Sequence, residues 1–420
     1  MQITRRTFIK GGLATFTVGF FAPSLLTQMA HAQGALDRNL VVVYLDGGVD
    51  GLSVLIPYRD PFYYSRRPTL SLPEASVLPI GTDTAGNPLG LHPRLTGLKG
   101  IYEQGKLAIV QRVGYPNASR SHFAGTDVWS TADPDASTRF GWLGRYLDGL
   151  PGPLDPLTAW NTGRTLPRTL LAPLYQTPSI PNLAAYNFRP AGRGAEAALE
   201  RSFAARISSH LPVDRPHVAF VQKTMAEALG TVDRVQSVGS YTPAVTYPDN
   251  GFGNALKMVA GAIMKNVGTK LFFVRTGGFD THAQQQTREG NFFNLMATVD
   301  DGLTAFYQDL AKQGRLNDTL ILEFSEFGRR IDENVSAGTD HGAGSTMLLL
   351  GGTVRGGLYG TAPNLDPMPD NPTLESNGRD VRFETDFRAV YSTVAEQWLK
   401  TDPVPLLGGD YRNPRLTVLG

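Results

Sequence analysis

Two stretches of this sequence place an aspartate and a histidine among glycines: Gly277-Gly278-Phe279-Asp280-Thr281-His282 and Gly338-Thr339-Asp340-His341-Gly342. Only seven histidines occur in 420 residues, and two of them sit here. A carboxylate oxygen beside an imidazole nitrogen suits a zinc, manganese or iron ion. Asp280 and His282, two apart in a loop, can both reach one ion; a loop-stabilising hydrogen bond is the plainer reading of the same pair. The chain has no cysteine, which removes disulfides, thiolate ligands and cysteine nucleophiles. Any metal must be held by Asp, Glu, His and hydroxyl groups.

Two further stretches carry chemistry. In Pro116-Asn117-Ala118-Ser119-Arg120-Ser121-His122-Phe123 a serine stands at the start of an expected helix running through Trp129. Serine there is a favoured cap, and the same place offers an attacking oxygen the positive end of the helix dipole. Arg120 suits an anionic ester group; His122 reads as ligand, base or structural histidine. In Asn317 to Arg330 the run Leu320-Ile321-Leu322-Glu323-Phe324-Ser325-Glu326-Phe327-Gly328 ends a strand on Glu326.

These groups need a scaffold. Residues 39–46, Asn-Leu-Val-Val-Val-Tyr-Leu-Asp, form a Val-rich run ending in an acid, the pattern of a strand buried on both faces. Similar runs occur at Lys106–Val113, Lys270–Arg275, Thr319–Phe324 and Thr346–Leu350. Helical spacing of apolar residues marks Asn291 to Gln313, and a second helix is expected from Phe387 to Leu399. Strands alternating with helices predict an α/β fold, a doubly wound, mostly parallel sheet with helices on both faces. Ligands of such sheets bind at the carboxyl ends of the strands, where Asp46, Asp280 and Glu326 fall. Residues 151–242, first Pro-rich and then helical at 195–207 and 218–235, read as a lid inserted into a single domain spanning 36–420.

The N-terminus reads as a leader. Arg5-Arg6 precede a weakly apolar run from Gly11 to Leu26, and Ala30-His31-Ala32 offers a cleavage site; paired arginines of this kind resemble a twin-arginine export signal. The run is too short and too rich in Gly and Thr for a stable membrane span. Without residues 1–32 the chain carries 36 basic and 38 acidic side chains, and no basic stretch interleaved with aromatics suggests a nucleic-acid partner. Export machinery and a periplasmic or secreted location are the corresponding expectations. His92 reads as a turn-ordering residue, His210 and His217 as surface residues, the four tryptophans as core, and Asp332 with Glu333 as a solvated turn.

In order and type these motifs resemble the alkaline phosphatase-like superfamily, which includes sulfatases. As a set, Asp46-Gly47-Gly48 with Asp50-Gly51-Leu52, Arg120-Ser121-His122-Phe123, Gly278 to His282, Ser325-Glu326-Phe327-Gly328-Arg329 and Gly338 to Gly342 resemble a family of exported bacterial proteins of unknown function (domain of unknown function 1501). The resemblance implies a metal-dependent hydrolase of phosphate or sulfate esters. It implies metal ligands among Asp46, Asp280, His282, Glu326, Asp340 and His341, holding one or two divalent ions (zinc, manganese, calcium or magnesium). Ser121, with Ser119 as rival, takes the nucleophile's place, and Arg120 or Arg329 the anion's oxygens. One departure stands out. Phe327 occupies a position where the superfamily has a histidine ligand, so the set is one ligand short unless Asp340, Asp50 or His122 fills the gap. The alternative is a non-catalytic exported binding protein that keeps the fold.

Overall fold

The computed structural model describes residues 38–152, 154–209, 214–286 and 291–420; the leader segment and His210 lie outside them. The expected α/β architecture is present. Strands β1 (Asn39–Asp46), β2 (Leu107–Gly114), β3 (Ala159–Asn161), β4 (Leu271–Gly277), β5 (Thr319–Phe324), β6 (Ser345–Gly351) and β7 (Gly357–Tyr359) form one sheet in the order β7-β2-β6-β5-β1-β4-β3. A short eighth strand, Thr385–Asp386, runs parallel to β2. Pairing is parallel except at β6, which is antiparallel to both β2 and β5. The apolar run that predicts β6 carries no information on its direction.

Alternation along β1 separates two cores. Val41, Val43 and Leu45 face the helices α1 (Thr96–Glu103), α6 (Gly251–Met264) and α7 (Asn291–Lys312). Leu40, Val42 and Tyr44 face α2 (His122–Thr131), α3 (Trp142–Gly149) and α8 (Phe387–Thr393), the last extended by a π turn at Val394–Trp398. With both faces covered, the central strands read as continuous apolar runs, as a parallel sheet requires. The four tryptophans are all in the core.

Between α3 and α6, the stretch 151–242 supplies β3 at the sheet edge and the helix pair α4 (Ala195–Ser208) and α5 (Pro216–Ser237). Arg234 near the end of α5 holds Asp155 through two bonds of 2.6 and 2.9 Å and the Val267 carbonyl at 3.0 Å. Asp155 and Val267 precede β3 and β4, so this anchor lies at the amino ends of the strands. His217 is exposed. Asp332 and Glu333 depart from the expected turn: they lie in a strand, Arg329–Glu333, paired with Thr339–His341. Asp332 holds Arg66 at 2.7 and 2.8 Å. A two-residue-period signal is too short there to be read from sequence.

The loops after the strands are tied beneath the surface by one buried ion pair. Asp50 and Arg67, both fully buried, meet at 2.6 and 3.0 Å. Ser53 and Gln285 also donate to Asp50. Gln285 in turn accepts from Thr281 and Thr339, and Arg67 donates to the carbonyls of Ile331 and Arg330. Burial opposes the charge on Asp50, but Arg67 outweighs it and keeps the carboxyl below its ordinary pKa. Asp50 is therefore a strut and not a metal ligand. Asp50→Ala leaves Arg67 buried and unpaired, and a loss of about 3–5 kcal/mol in urea unfolding is expected.

Candidate metal centre

Parallel register sets the carboxyl ends of β1 and β4 side by side, with Asp46 opposite Gly277, while β5 ends two residues short, at Phe324 opposite Tyr44, and continues into Ser325 and Glu326. Close approach of the following loops depends on two glycines. Gly47 has φ +122°, and a Cβ there would lie 2.4 Å from the Asp280 nitrogen. A Cβ on Gly338 would lie 2.1 Å from the His282 carbonyl carbon. Thr339 N–H donates to the Thr281 carbonyl at 3.1 Å across that contact, which brings His282 and His341 together.

Three imidazoles converge on one carboxylate oxygen. Asp280 Oδ1 lies 2.9 Å from His341 Nε2, 3.0 Å from His282 Nε2 and 3.5 Å from His122 Nε2. His282 and His341 also bring their Nε2 atoms within 3.0 Å of each other. His122, Asp280 and His341 each offer one ligand atom within 4.8 Å of the others. The sequence left the role of His122 open; here, from the first turn of α2, it supplies an imidazole to the cluster. The ring of Phe327 is buried and packs 5.0 Å from the His122 ring and 4.7 Å from the His341 ring.

The outer nitrogens fix which atom of each ring faces inward. His341 Nδ1 lies 2.7 Å from the Arg120 carbonyl, which can only accept, so Nδ1 carries the proton. His122 Nδ1 lies 2.7 Å from Glu326 Oε1, a carboxylate oxygen that accepts its N–H in the same way. Both rings then direct Nε2 toward Asp280, where it can donate to the carboxylate when it carries a proton or share a cation with it when it does not. Carboxylate or carbonyl support of the outer nitrogen is the usual arrangement behind a metal-bound histidine. Burial opposes the charge on Asp280, but hydrogen bonds from His341 and Arg329 hold its pKa well below the usual carboxylate range. Imidazole nitrogens and a carboxylate gathered at about 3 Å form a donor set that fits a cation in place of the shared protons. The donor set of imidazoles plus one carboxylate suits zinc or a neighbouring transition metal better than calcium or magnesium.

The remaining expected site residues lie around this centre. Glu326 is fully buried and is engaged by Gly47 N–H at 3.0 Å, Ser325 Oγ at 3.0 Å and His122; it orients the His122 ring from behind. Asp46 is ion-paired with Arg275 and accepts from Tyr44 at 3.2 Å. Asp340 accepts from Asn334 at 3.2 Å, a bond that with Arg330 and His282 lowers its pKa, and stands 3.6 Å from His282 Nδ1. Arg329 differs from expectation: its guanidinium is buried and donates to the carbonyls of Gly47, Gly48, Phe279 and Thr339 and to Asp280 at 2.6 Å. It clamps the loops and has no free edge for an anion. Arg120 is partly exposed and paired with the buried Asp380. Ser121 occupies the cap position of α2 without making a capping bond, and is exposed. Ser119 Oγ instead accepts from Ser121 N–H at 3.2 Å. His92 accepts from Arg94 N–H at 3.2 Å, which orders the turn before α1; burial pushes its pKa down to about 4.

No curated protein matches the chain. Among solved structures it is similar to a protein in the alkaline phosphatase superfamily from Vibrio parahaemolyticus (12% identity, 90% of this chain and 76% of that one, TM-score 0.34). It is also similar to alkaline phosphatase from the Antarctic bacterium TAB5 (11%, 77% and 95%, 0.32) and to the phosphonate monoester hydrolase of Agrobacterium radiobacter (12%, 89% and 78%, 0.33). Residues 106–377, more than half of the chain and including His122, Asp280, His282, Glu326, Asp340 and His341, match the model of the "Protein of unknown function (DUF1501)" family. The chain belongs to the DUF1501 family.

Proposed function

We propose that this protein is an exported hydrolase of phosphate or sulfate esters that uses a single divalent metal ion. The observation that carries the reading is the convergence of three imidazole Nε2 atoms on Asp280 Oδ1, beside a serine that occupies a helix cap without bonding it. His122, His282, His341 and Asp280 would hold the ion. When bound, a divalent cation there lowers the pKa of a coordinated hydroxyl and offsets charge on a transferring group.

The chain's own groups do the rest. Glu326 and the Arg120 carbonyl fix the inward-facing nitrogens of His122 and His341. Ser121 lies between Arg120 and His122, both tied to the cluster, and supplies the attacking oxygen at the positive end of α2. Arg120, held by Asp380, offers its exposed edge to the ester's nonbridging oxygens. One ion is favoured over two because the other carboxylates are engaged: Asp46 by Arg275 and Tyr44, Glu326 by three donors. The helix pair α4–α5 has no part in this reading, since its Arg234 anchor lies at the amino ends of the strands. Among the described residues no helix is long and apolar enough to cross a membrane, and export rests on the twin-arginine pattern of the leader.

The test is elemental analysis of protein purified without chelator, followed by assay on phosphate and sulfate monoesters. About one equivalent of transition metal is expected, with hydrolysis lost in Asp280→Ala and after chelation. Protein that neither contains nor binds metal would favour the non-catalytic alternative. Hydrolysis undiminished in the chelated protein would overturn the metal role.

A further inference from the structure

A second, separate cavity lies on the α1–α6–α7 side of the sheet, between β2, the start of β6 and the helical turn that begins at Gly51. It is lined by Gly51, Leu89, Arg112, Arg329, Ser345 and Thr346 among others and measures about 30 Å³. Arg112 belongs to no motif and has no part in the mechanism above. It sits where the pairing of β2 with β6 slips register, with φ at +45°, a conformation that side chains other than glycine rarely adopt. Its side chain is nine-tenths buried, and one nitrogen pairs with Glu384 at 2.9 Å. Among the described residues its Nε and Nη1, both buried, have no hydrogen-bond partner. Burial works against the charge and, in spite of Glu384, leaves the guanidinium pKa below its ordinary value.

Buried charged donors need acceptors. The cavity wall carries the guanidinium of Arg112, with Nε and Nη1 available, and that of Arg329, whose donors are taken by the loops it clamps and which adds only its charge, and no carboxylate. Their partners, Glu384 and Asp280, lie outside the lining. Hydroxyls of Ser345 and Thr346 add donors, and the rest of the wall is mainly apolar, from Leu52, Leu55 and Leu89 to Val381. A positive, partly apolar wall selects an anion that gives up its water readily. About 30 Å³ suits a monatomic ion or a water or two, not a tetrahedral oxyanion.

We propose that this cavity binds one small, weakly hydrated monovalent anion of the halide class, held by Arg112 Nε and Nη1 beneath the loops that Arg329 clamps. The site is distinct from the metal centre, with which it shares the Arg329 guanidinium, and has no part in ester hydrolysis. The experiment is ³⁵Cl NMR on the full chain after chelation, so that chloride on a metal cannot contribute. Saturable excess line broadening is expected in the wild type, displaced by bromide but not by fluoride. It should fall at least tenfold in Arg112→Gln and several-fold in Ser345→Ala, with both variants checked for native circular dichroism. In parallel, the melting temperature should rise with bromide over fluoride at constant ionic strength, and only while Arg112 is present. Absence of saturable broadening in the wild type, or equal broadening in a folded Arg112→Gln, would show that the cavity holds water alone and overturn the proposal.

Discussion

His122→Ala is expected to strip stoichiometric metal from the protein and to abolish ester hydrolysis, while leaving the fold intact. The argument rests on where the residue stands. His122 opens α2, its Nδ1 is fixed by Glu326 at 2.7 Å, and its Nε2 is buried without a hydrogen-bond partner, 3.5 Å from Asp280. A buried imidazole nitrogen facing a carboxylate at that distance bonds nothing useful in the protein alone. It becomes useful when a cation is shared. The side chain is about one-third exposed, so its truncation removes little packing but leaves the buried Glu326 carboxylate one donor short, and unfolding should change by about 1–3 kcal/mol. Glu326→Gln provides the graded control: it keeps the shape but weakens the support of His122, and a 10–100-fold loss in metal affinity or activity is expected. Competition titration with a chromophoric chelator measures both. Wild-type affinity in His122→Ala would remove His122 from the ligand set and return the centre to the three residues in the two Asp/His loops.

How much of this site the sequence could reveal depended on the kind of signal each residue carries. The central strands were readable because burial on both faces leaves only Val, Leu, Ile and Phe, as in Leu40–Val43 and Leu320–Leu322. Asp280, His282 and His341 were readable because glycines flank them. His122 was ambiguous: a histidine after a serine at a helix start has the same sequence appearance whether it caps, packs or binds. What assigns it is Glu326, more than 200 residues away. Arg329 misled for the opposite reason. An arginine two residues after Phe327 suggests anion binding, yet its donors are taken by carbonyls of three separate loops, an arrangement without a local pattern. The missing imidazole at Phe327 has the same explanation. The imidazole that joins the cluster comes from α2, and the phenyl ring packs against it.

Asp46 shows how the same logic bears on the number of ions. At the end of β1 it looks like a metal ligand, and its exposure would permit that role. Arg275, one strand over on β4, instead brings a guanidinium to Oδ2, and Tyr44 donates to Oδ1. A fixed cation supplied by the chain stands on the carboxylate, which leaves it little to offer a second ion. The tyrosine cannot readily ionise to change this. Burial first, and then the nearby charge of Glu326, raises its pKa far above the ordinary phenol value.

Glu323→Gln is expected to stabilise the protein increasingly as pH rises from about 5 to 8. Glu323 lies in β5 between Val43 of β1 and Leu348 of β6, 4% exposed, in a layer otherwise built from aliphatic side chains. Burial pushes its pKa up to about 8, against which only the Leu348 N–H acts. The native state therefore keeps a proton that the unfolded chain, with a carboxyl pKa near 4.3, releases. Below that value both states are protonated and the carboxyl has no effect on the balance. As pH rises the unfolded state binds fewer protons than the native one, and stability falls by about 1.4 kcal/mol per unit. The fall ends once the native carboxyl ionises near pH 8, by which point it amounts to several kcal/mol. Glutamine has nearly the same shape and does not titrate, so the difference between variant and wild type isolates this carboxyl from Asp50, Asp280 and every other titrating group. Urea midpoints at pH 5, 6, 7 and 8 should diverge steadily, with the variant higher at the alkaline end. Parallel profiles would mean that Glu323 ionises freely in the folded protein, through a path to water between β5 and the helices packed on it.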